Sequence, residues 1–144
     1  MTPQRVTLIT LGVSDLDRSR VYYGRLGWVE HGASQPGVAF YQMHGSVLAL
    51  FGRADLAADQ GRPDAALGTG ATTLAQNFAT EAEVDQAYDR AMAAGARGLK
   101  HPERVFWGGY SGYVADPDGH VWEYAVNPFW PLSEDGSLAL PEAQ

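Results

Sequence analysis

The chain repeats itself once, and an internal repeat of this size limits the fold more than any composition does. Both halves read strand, helix, strand, hairpin. One displacement of the sequence lays Val13 on Phe78 and Tyr23 on Tyr88. A slightly larger one lays Gly45-Ser46-Val47-Leu48-Ala49-Leu50 on Gly119-His120-Val121-Trp122-Glu123-Tyr124. A longer second helix and a longer loop over 100–109 absorb the change of offset. Each half is then a βαβββ module, too small to bury its own sheet face. Two of them predict an α+β fold: a curved mixed sheet around a cleft, with the helices outside. Residues 1–144 form a single domain on this reading, with module one over 5–52, a linker over 53–70, module two over 71–128 and a tail over 129–144.

Local signals supply the elements. Residues 6–13 are rich in Thr, Val, Ile and Leu and predict a strand. Ser14 and Asp17 approach a capping box, with Asp15 and Asp17 suited to the positive end of a helix. Leu16, Val21, Tyr22 and Leu26 give that helix an apolar face, and Gly27 stops it. A short strand is expected over 28–31, then a hairpin of 38–42 and 46–51 turning near His44-Gly45. The stretch 53–70 is Ala, Asp and Gly with Pro63, and reads as a linker with one helical turn around Leu56. After a strand over 72–78, Thr80 and Glu83 form a capping box. Val84, Ala87, Tyr88, Ala91 and Met92 follow at helical spacing until Gly95. A short strand over 98–101 precedes Pro102, and 107–115 with 120–126 make the closing hairpin. In the tail, Phe129-Trp130-Pro131 is expected to lie against the body, at the cleft edge or at a dimer interface.

Composition removes several functions. There are no cysteines, so disulfides, thiolate metal sites and a cysteine nucleophile are excluded. The net charge is −7 and Lys100 is the one lysine, which opposes nucleic acid as a partner. No apolar run reaches the roughly 20 residues that span a bilayer, and no leader-like segment opens the chain, so no membrane partner and a cytoplasmic location are expected.

The closing hairpin carries the one conspicuous polar feature. In 113–124, Pro117 fixes φ inside a turn and Gly119 can take the positive φ that closes it. The returning strand places Glu123 among Val121, Trp122 and Tyr124. A carboxylate there must face solvent, a polar pocket or a metal, because dry unpaired burial is costly. Alternation sends Glu123 to one face and Trp122 and Tyr124 to the other. Across the hairpin, Gly112 is expected near Glu123, with Tyr110 on the same face. The equivalent face of module one would carry Phe40, Val47, Ala49 and Phe51, and Leu8, Thr10, Thr73, Ala75 and Asn77 would complete the wall. Trp107, Tyr110 and His101 are expected at its mouth, with Gly108-Gly109 either a flexible segment or a bulge. His31, His44 and His120 read as surface residues. Such a wall is the usual composition of a small-molecule pocket, or else of a collapsed core.

Two stretches give the chain a resemblance: Leu11-Gly12-Val13-Ser14-Asp15-Leu16-Asp17-Arg18-Ser19 with Tyr22-Tyr23 and Leu26-Gly27, and Asp116-Pro117-Asp118-Gly119-His120-Val121-Trp122-Glu123. With the repeat, they resemble the vicinal-oxygen-chelate superfamily, which includes glyoxalase I, bleomycin-resistance proteins and extradiol dioxygenases. The resemblance spans about residues 5 to 128 and implies the fold far better than the activity. It implies a homodimer, and in enzymes of the group a divalent metal held from the first and last strand of each module. By position those ligands would be Leu8, Ala49, Thr73 and Glu123. Only Glu123 ligates well, and Zn, Fe or Ni want three or four donors with imidazole prominent. No metal and no cofactor are therefore expected.

Three readings follow. The first is a metal-free protein binding an apolar or aromatic small molecule through Leu8, Thr10, Phe40, Ala49, Phe51, Thr73, Asn77, Trp107, Tyr110 and Glu123. The second is a metal-dependent lyase, isomerase or dioxygenase. The third is a metal-free enzyme with Glu123 as catalytic acid or base beside Tyr110 or His101.

Overall fold

A computed structural model describes residues 1–142 of the chain. Two compact units divide between Gly68 and Thr69. The fold is α+β, and each unit holds one mixed sheet.

The first unit runs β1 (Leu8–Val13), α1 (Leu16–Arg25), β2 (Val38–Gln42), β3 (Val47–Gly52) and α2 (Arg53–Asp59). Its sheet has the order β1-β3-β2, with β1 parallel and β2 antiparallel to β3. α1 starts at Asp15 rather than Ser14: the Asp15 side chain accepts the Arg18 N–H at 3.1 Å. Such a cap is worth about 1 kcal/mol. Gly27, at φ 93°, ends the segment. The buried face of α1 is Ser19, Tyr22 and Tyr23, whereas Val21 is half exposed. Aromatic packing sets that rotation. Tyr22 and Tyr23 meet edge to face at 4.9 Å, and Tyr23 stacks on Trp28 at 5.1 Å and lies 6.1 Å from Tyr41 of β2. Pairs of this kind add about 0.5–1.5 kcal/mol each beyond the area they bury.

Two expectations for this unit change. Residues 28–31 form no strand. Trp28 leaves the sheet to stack on Tyr23, and one ladder-like bond remains, from the His31 N–H to the Phe40 carbonyl at 2.7 Å. The supposed linker opens with a seven-residue helix, α2. Gly12 makes room for it on β1: a Cβ there would lie 3.2 Å from both Arg53 and Leu56 side chains.

The second unit runs β4 (Thr73–Asn77), α3 (Glu81–Ala94), β5 (Arg97–Arg104), β6 (Tyr110–Ala115) and β7 (Val121–Val126). Its sheet has the order β4-β7-β6-β5. The Thr80 cap of the expected box is present, with the Glu83 N–H donating to Thr80 Oγ1 at 3.2 Å, while the Glu83 side chain returns to the Thr80 hydroxyl, which donates to Oε1 at 3.1 Å, in place of the backbone N–H. Gly95, at φ 111°, supplies the left-handed C-cap. Val84, Ala91 and Ala94 are the buried residues of α3, and Met92 is exposed.

β5 does not end before Pro102; it continues to Arg104. The β5–β6 register slips between Gly98 and Lys100 and again between Lys100 and Glu103, and Pro102 sits inside the second irregularity. A proline is tolerated there because it owes the ladder no N–H. Gly112 of β6 accommodates its ring. A Cβ on Gly112 would meet Pro102 Cγ at 2.8 Å and its backbone nitrogen at 2.9 Å. Gly112→Ala should therefore destabilise the protein by about 1–3 kcal/mol through overpacking, lowering Tm by about 2–4 °C per kcal/mol. Calorimetric melting of the variant beside the parent checks this, and an unchanged Tm would refute the contact.

Candidate functional site

Asp116 aims the closing hairpin. Its Oδ1 accepts the N–H groups of Asp118 and His120, each at 2.9 Å. The Asp116 N–H donates to the His120 carbonyl at 2.9 Å, and the Gly119 N–H to the Asp116 carbonyl at 3.0 Å. Gly119 takes φ 92°. Pro117, Asp118 and Gly119 are thus a three-residue loop closed by a left-handed glycine.

That loop sets the register of β6 on β7, in which Tyr113 faces Glu123, Gly112 faces Tyr124 and Tyr110 faces Val126. The expectation that Gly112 and Tyr110 share the face of Glu123 is overturned. Tyr110 points to α3, where its hydroxyl donates to Asp85 Oδ1 at 2.6 Å. That bond, chiefly, pushes the phenol up to about 12. Tyr110 lines a separate recess of about 440 Å³ with Thr80, Glu81, Arg104 and Pro128. Trp122 and Tyr124 are buried on the α3 side, and burial pushes the Tyr124 phenol up to about 12.

Tyr113 is the residue the sequence reading missed. It stands directly across from Glu123 on the neighbouring strand. Its phenol is raised above the usual value, first by burial, then by the charge of Glu123. β4 lies parallel to β7 with Thr73 level with Val121, Ala75 with Glu123 and Asn77 with Ala125. Thr73, Ala75, Asn77, Tyr113 and Glu123 therefore share one face, because strand partners do.

In the first unit, register places Leu8, Thr10, Phe40, Ala49 and Phe51 on one face. Leu8 is level with Val47, Thr10 with Ala49, and Phe40 lies across from Ala49. The other face, with Tyr41, Leu48 and Leu50, is the buried side under α1. At one end of the open face is a groove of about 370 Å³ lined by Thr7, Leu8, His31, Phe40, Gln42 and Val47. His31, expected at the surface, is exposed and also part of this groove.

The remaining candidates lie apart. Trp107 is in the β5–β6 turn, 39% exposed, with its ring over Gly109, where a Cβ would collide with it. The Gly108-Gly109 pair is part of this hydrogen-bonded turn: the Val105 N–H donates to the Gly109 carbonyl at 2.9 Å. Phe129 of the tail lies on Gly108, 3.1 Å from where a Cβ would be. His101 does not join Glu123; its ring is 5.1 Å from Tyr88 of α3.

The donor set does not suit a transition metal. The positions implied for ligands hold Leu8, Ala49, Thr73 and Glu123. Among the described residues no group of three or more His, Asp or Glu stands together as a cation site would need. Also among them, no helix is long and apolar enough to cross a membrane.

Residues 5–124 match the family model described as the Glyoxalase/Bleomycin resistance protein/Dioxygenase superfamily. Among solved structures, a glyoxalase-related enzyme from Fulvimarina pelagi is 42% identical, with a TM-score of 0.90, covering 97% of this chain and 100% of that one. A glyoxalase/bleomycin resistance protein/dioxygenase from Nocardioides is 29% identical, TM-score 0.71, with 88% and 85% covered. A lactoylglutathione lyase from Agrobacterium tumefaciens shares the fold at 24% identity and TM-score 0.66, with 92% and 100% covered. Among curated proteins, none matches.

The Tyr113–Glu123 pair makes a test available. Glu123→Gln should lower the Tyr113 phenol pKa by removing the charge, yet leave it above 10 because burial is the larger cause. A ¹³Cζ titration of labelled tyrosine reads this directly, and no change on substitution would mean the two groups do not interact.

Proposed function

The chain belongs to the Glyoxalase/Bleomycin resistance protein/Dioxygenase superfamily, and from that premise we propose that it binds a small apolar or aromatic molecule without a metal. The groove of the first unit carries this reading. Leu8, Phe40 and Val47 line it, and its wall is mostly apolar. Apolar walls with few polar groups are what a small-molecule site requires. The missing donor set supports the metal-free part of the reading, and a charge of −7 with one lysine disfavours nucleic acid as the partner.

A titration of simple aromatic compounds followed by amide NMR tests the binding. Shifts are expected to concentrate at residues 7–8, 31–33, 40–42 and 47, and Phe40→Asp should weaken binding at least tenfold. Shifts spread over the whole surface, or unmoved by that substitution, would reject the groove. Adding Ni, Zn, Fe or Mn after chelator treatment is expected to leave both Tm and ligand affinity unchanged.

One observation favours a second reading, in which Glu123 moves a proton. Tyr113 stands across from Glu123 and its phenol feels that charge, as a neighbour that tunes an acid or base would. For any compound the protein is found to convert, Glu123→Gln should then lower kcat at least a hundredfold while KM changes less than threefold. Full turnover by the variant would remove Glu123 from the chemistry.

A further inference from the structure

One guanidinium grips, from both sides, the loop that forms a wall of the groove. His31 and Ala33 line the groove from the segment between α1 and β2. Arg20 of α1 reaches that segment before and after them. Its Nε donates to Glu30 Oε1 at 3.1 Å. Its Nη2 donates to the Gln35 carbonyl at 2.6 Å, with a longer contact to the Val38 carbonyl at 3.5 Å. Its Nη1 lies 3.4 Å from the Pro36 carbonyl. The side chains of Arg20 and Glu30 are 23% and 31% exposed, and a partly buried pair is screened less than a surface one. Asp17, 3.6 Å from Nη1, is almost fully exposed, and such a pair adds little.

The gripped end is a tight turn. The Gln35 N–H donates to the Val38 carbonyl at 2.9 Å and the Val38 N–H to the Gln35 carbonyl at 3.2 Å, and Pro36 fixes φ between them. On its other side the loop is tied to β2. The His31 N–H donates to the Phe40 carbonyl at 2.7 Å, and the Phe40 N–H to Ser34 Oγ at 2.9 Å. These bonds join the loop to the sheet, and Arg20 joins it to the helix. A rigid planar fork of donors suits the task, because it serves acceptors in two directions at once. A lysine offers one point of charge.

We propose that Arg20 is the positioning residue of the groove: by bridging Glu30 to the turn of Gln35 and Val38 it holds His31 and Ala33 in place as a wall, and ligand affinity depends on that bridge. Arg20 is not itself one of the lining residues. The inference rests on the small-molecule reading above and adds to it the residue that regulates the site. A wall that stands for only a fraction of the time lowers the apparent affinity by that fraction. The coupling is reciprocal, so a bound ligand steadies the loop by as much as the bridge tightens the ligand.

The full chain, Arg20→Lys, Arg20→Gln and Glu30→Gln are compared with 4-methylphenol as the probe. Amide NMR titration gives the dissociation constant, and amide hydrogen exchange reads the loop. Arg20→Lys keeps the charge and loses the fork. It should weaken binding roughly tenfold and speed exchange at Gln35, Val38 and Phe40 at least tenfold, with the amides of α3 unchanged. Saturating 4-methylphenol should slow exchange at the same amides. Glu30→Gln loses the charge and keeps an oxygen that accepts from Nε, so it should bind within threefold of the parent. Arg20→Gln loses charge and fork together and should weaken binding at least as much as Arg20→Lys; it decides the matter if Arg20→Lys does not fold. Faster exchange throughout the chain would mark a general loss of stability and overturn the positioning role. So would a loosened loop with an unchanged dissociation constant, or equal losses in Arg20→Lys and Glu30→Gln. In those cases the groove still binds and the small-molecule reading stands. If 4-methylphenol shifts no groove amide of the parent, that reading fails and this inference with it.

Discussion

The buried carboxylate of Asp116 is the contact on which the second unit depends. Asp116 is 4% exposed, and its Oδ1 holds two backbone N–H groups of the loop that follows. Replacing it with an apolar residue would orphan those donors, at about 1–3 kcal/mol for a buried one. More than stability hangs on it. The three-residue loop it organises dictates which residue of β6 stands opposite which residue of β7. A slip of one would exchange the faces of the whole strand. Tyr113 would then lose Glu123, and Tyr110 would lose Asp85.

The same loop marks where the sequence stopped being legible. Pro117 and Gly119 announce a turn, and the repeat announces two modules; both are composition and spacing, which a sequence displays openly. Whether the loop holds two, three or four residues is not displayed in that way. Counting it one residue off puts Gly112 beside Glu123 and hides Tyr113. Pro102 misled for a related reason. A proline normally closes a strand, but here a register slip and a glycine on the next strand make room for it. The missing strand over 28–31 was lost to an aromatic contact, because Trp28 stacks on Tyr23. That is a tertiary choice with no local sign. α2 was foreseen only as a turn around Leu56, because its Ala-, Asp- and Gly-rich surroundings hide its length, which its packing on Gly12 supports.

The two units share a scaffold and divide the chemistry. Ala49 and Glu123 are repeat partners, yet one leaves its sheet face apolar and the other makes its face polar. Module one offers a groove lined by Leu8, Phe40 and Val47. Module two offers a phenol and a carboxylate side by side. Duplication of a module supplies twin positions, and substitution at one twin is enough to make the functions diverge.

Pro102 also bears on how the protein behaves in company. β5 is an outer strand of the four-stranded sheet, and most of its residues are exposed. An outer strand invites another chain to add on by backbone pairing. Here the ladder is irregular at two places, and Arg97, Lys100, Glu103 and Arg104 give the strand charge. A neighbouring polypeptide approaching from that side finds no continuous partner. The register slips that the strand takes around its proline, and its charges, therefore guard the sheet against open-ended growth, so crowding and high expression should not turn this edge into a seed for fibres.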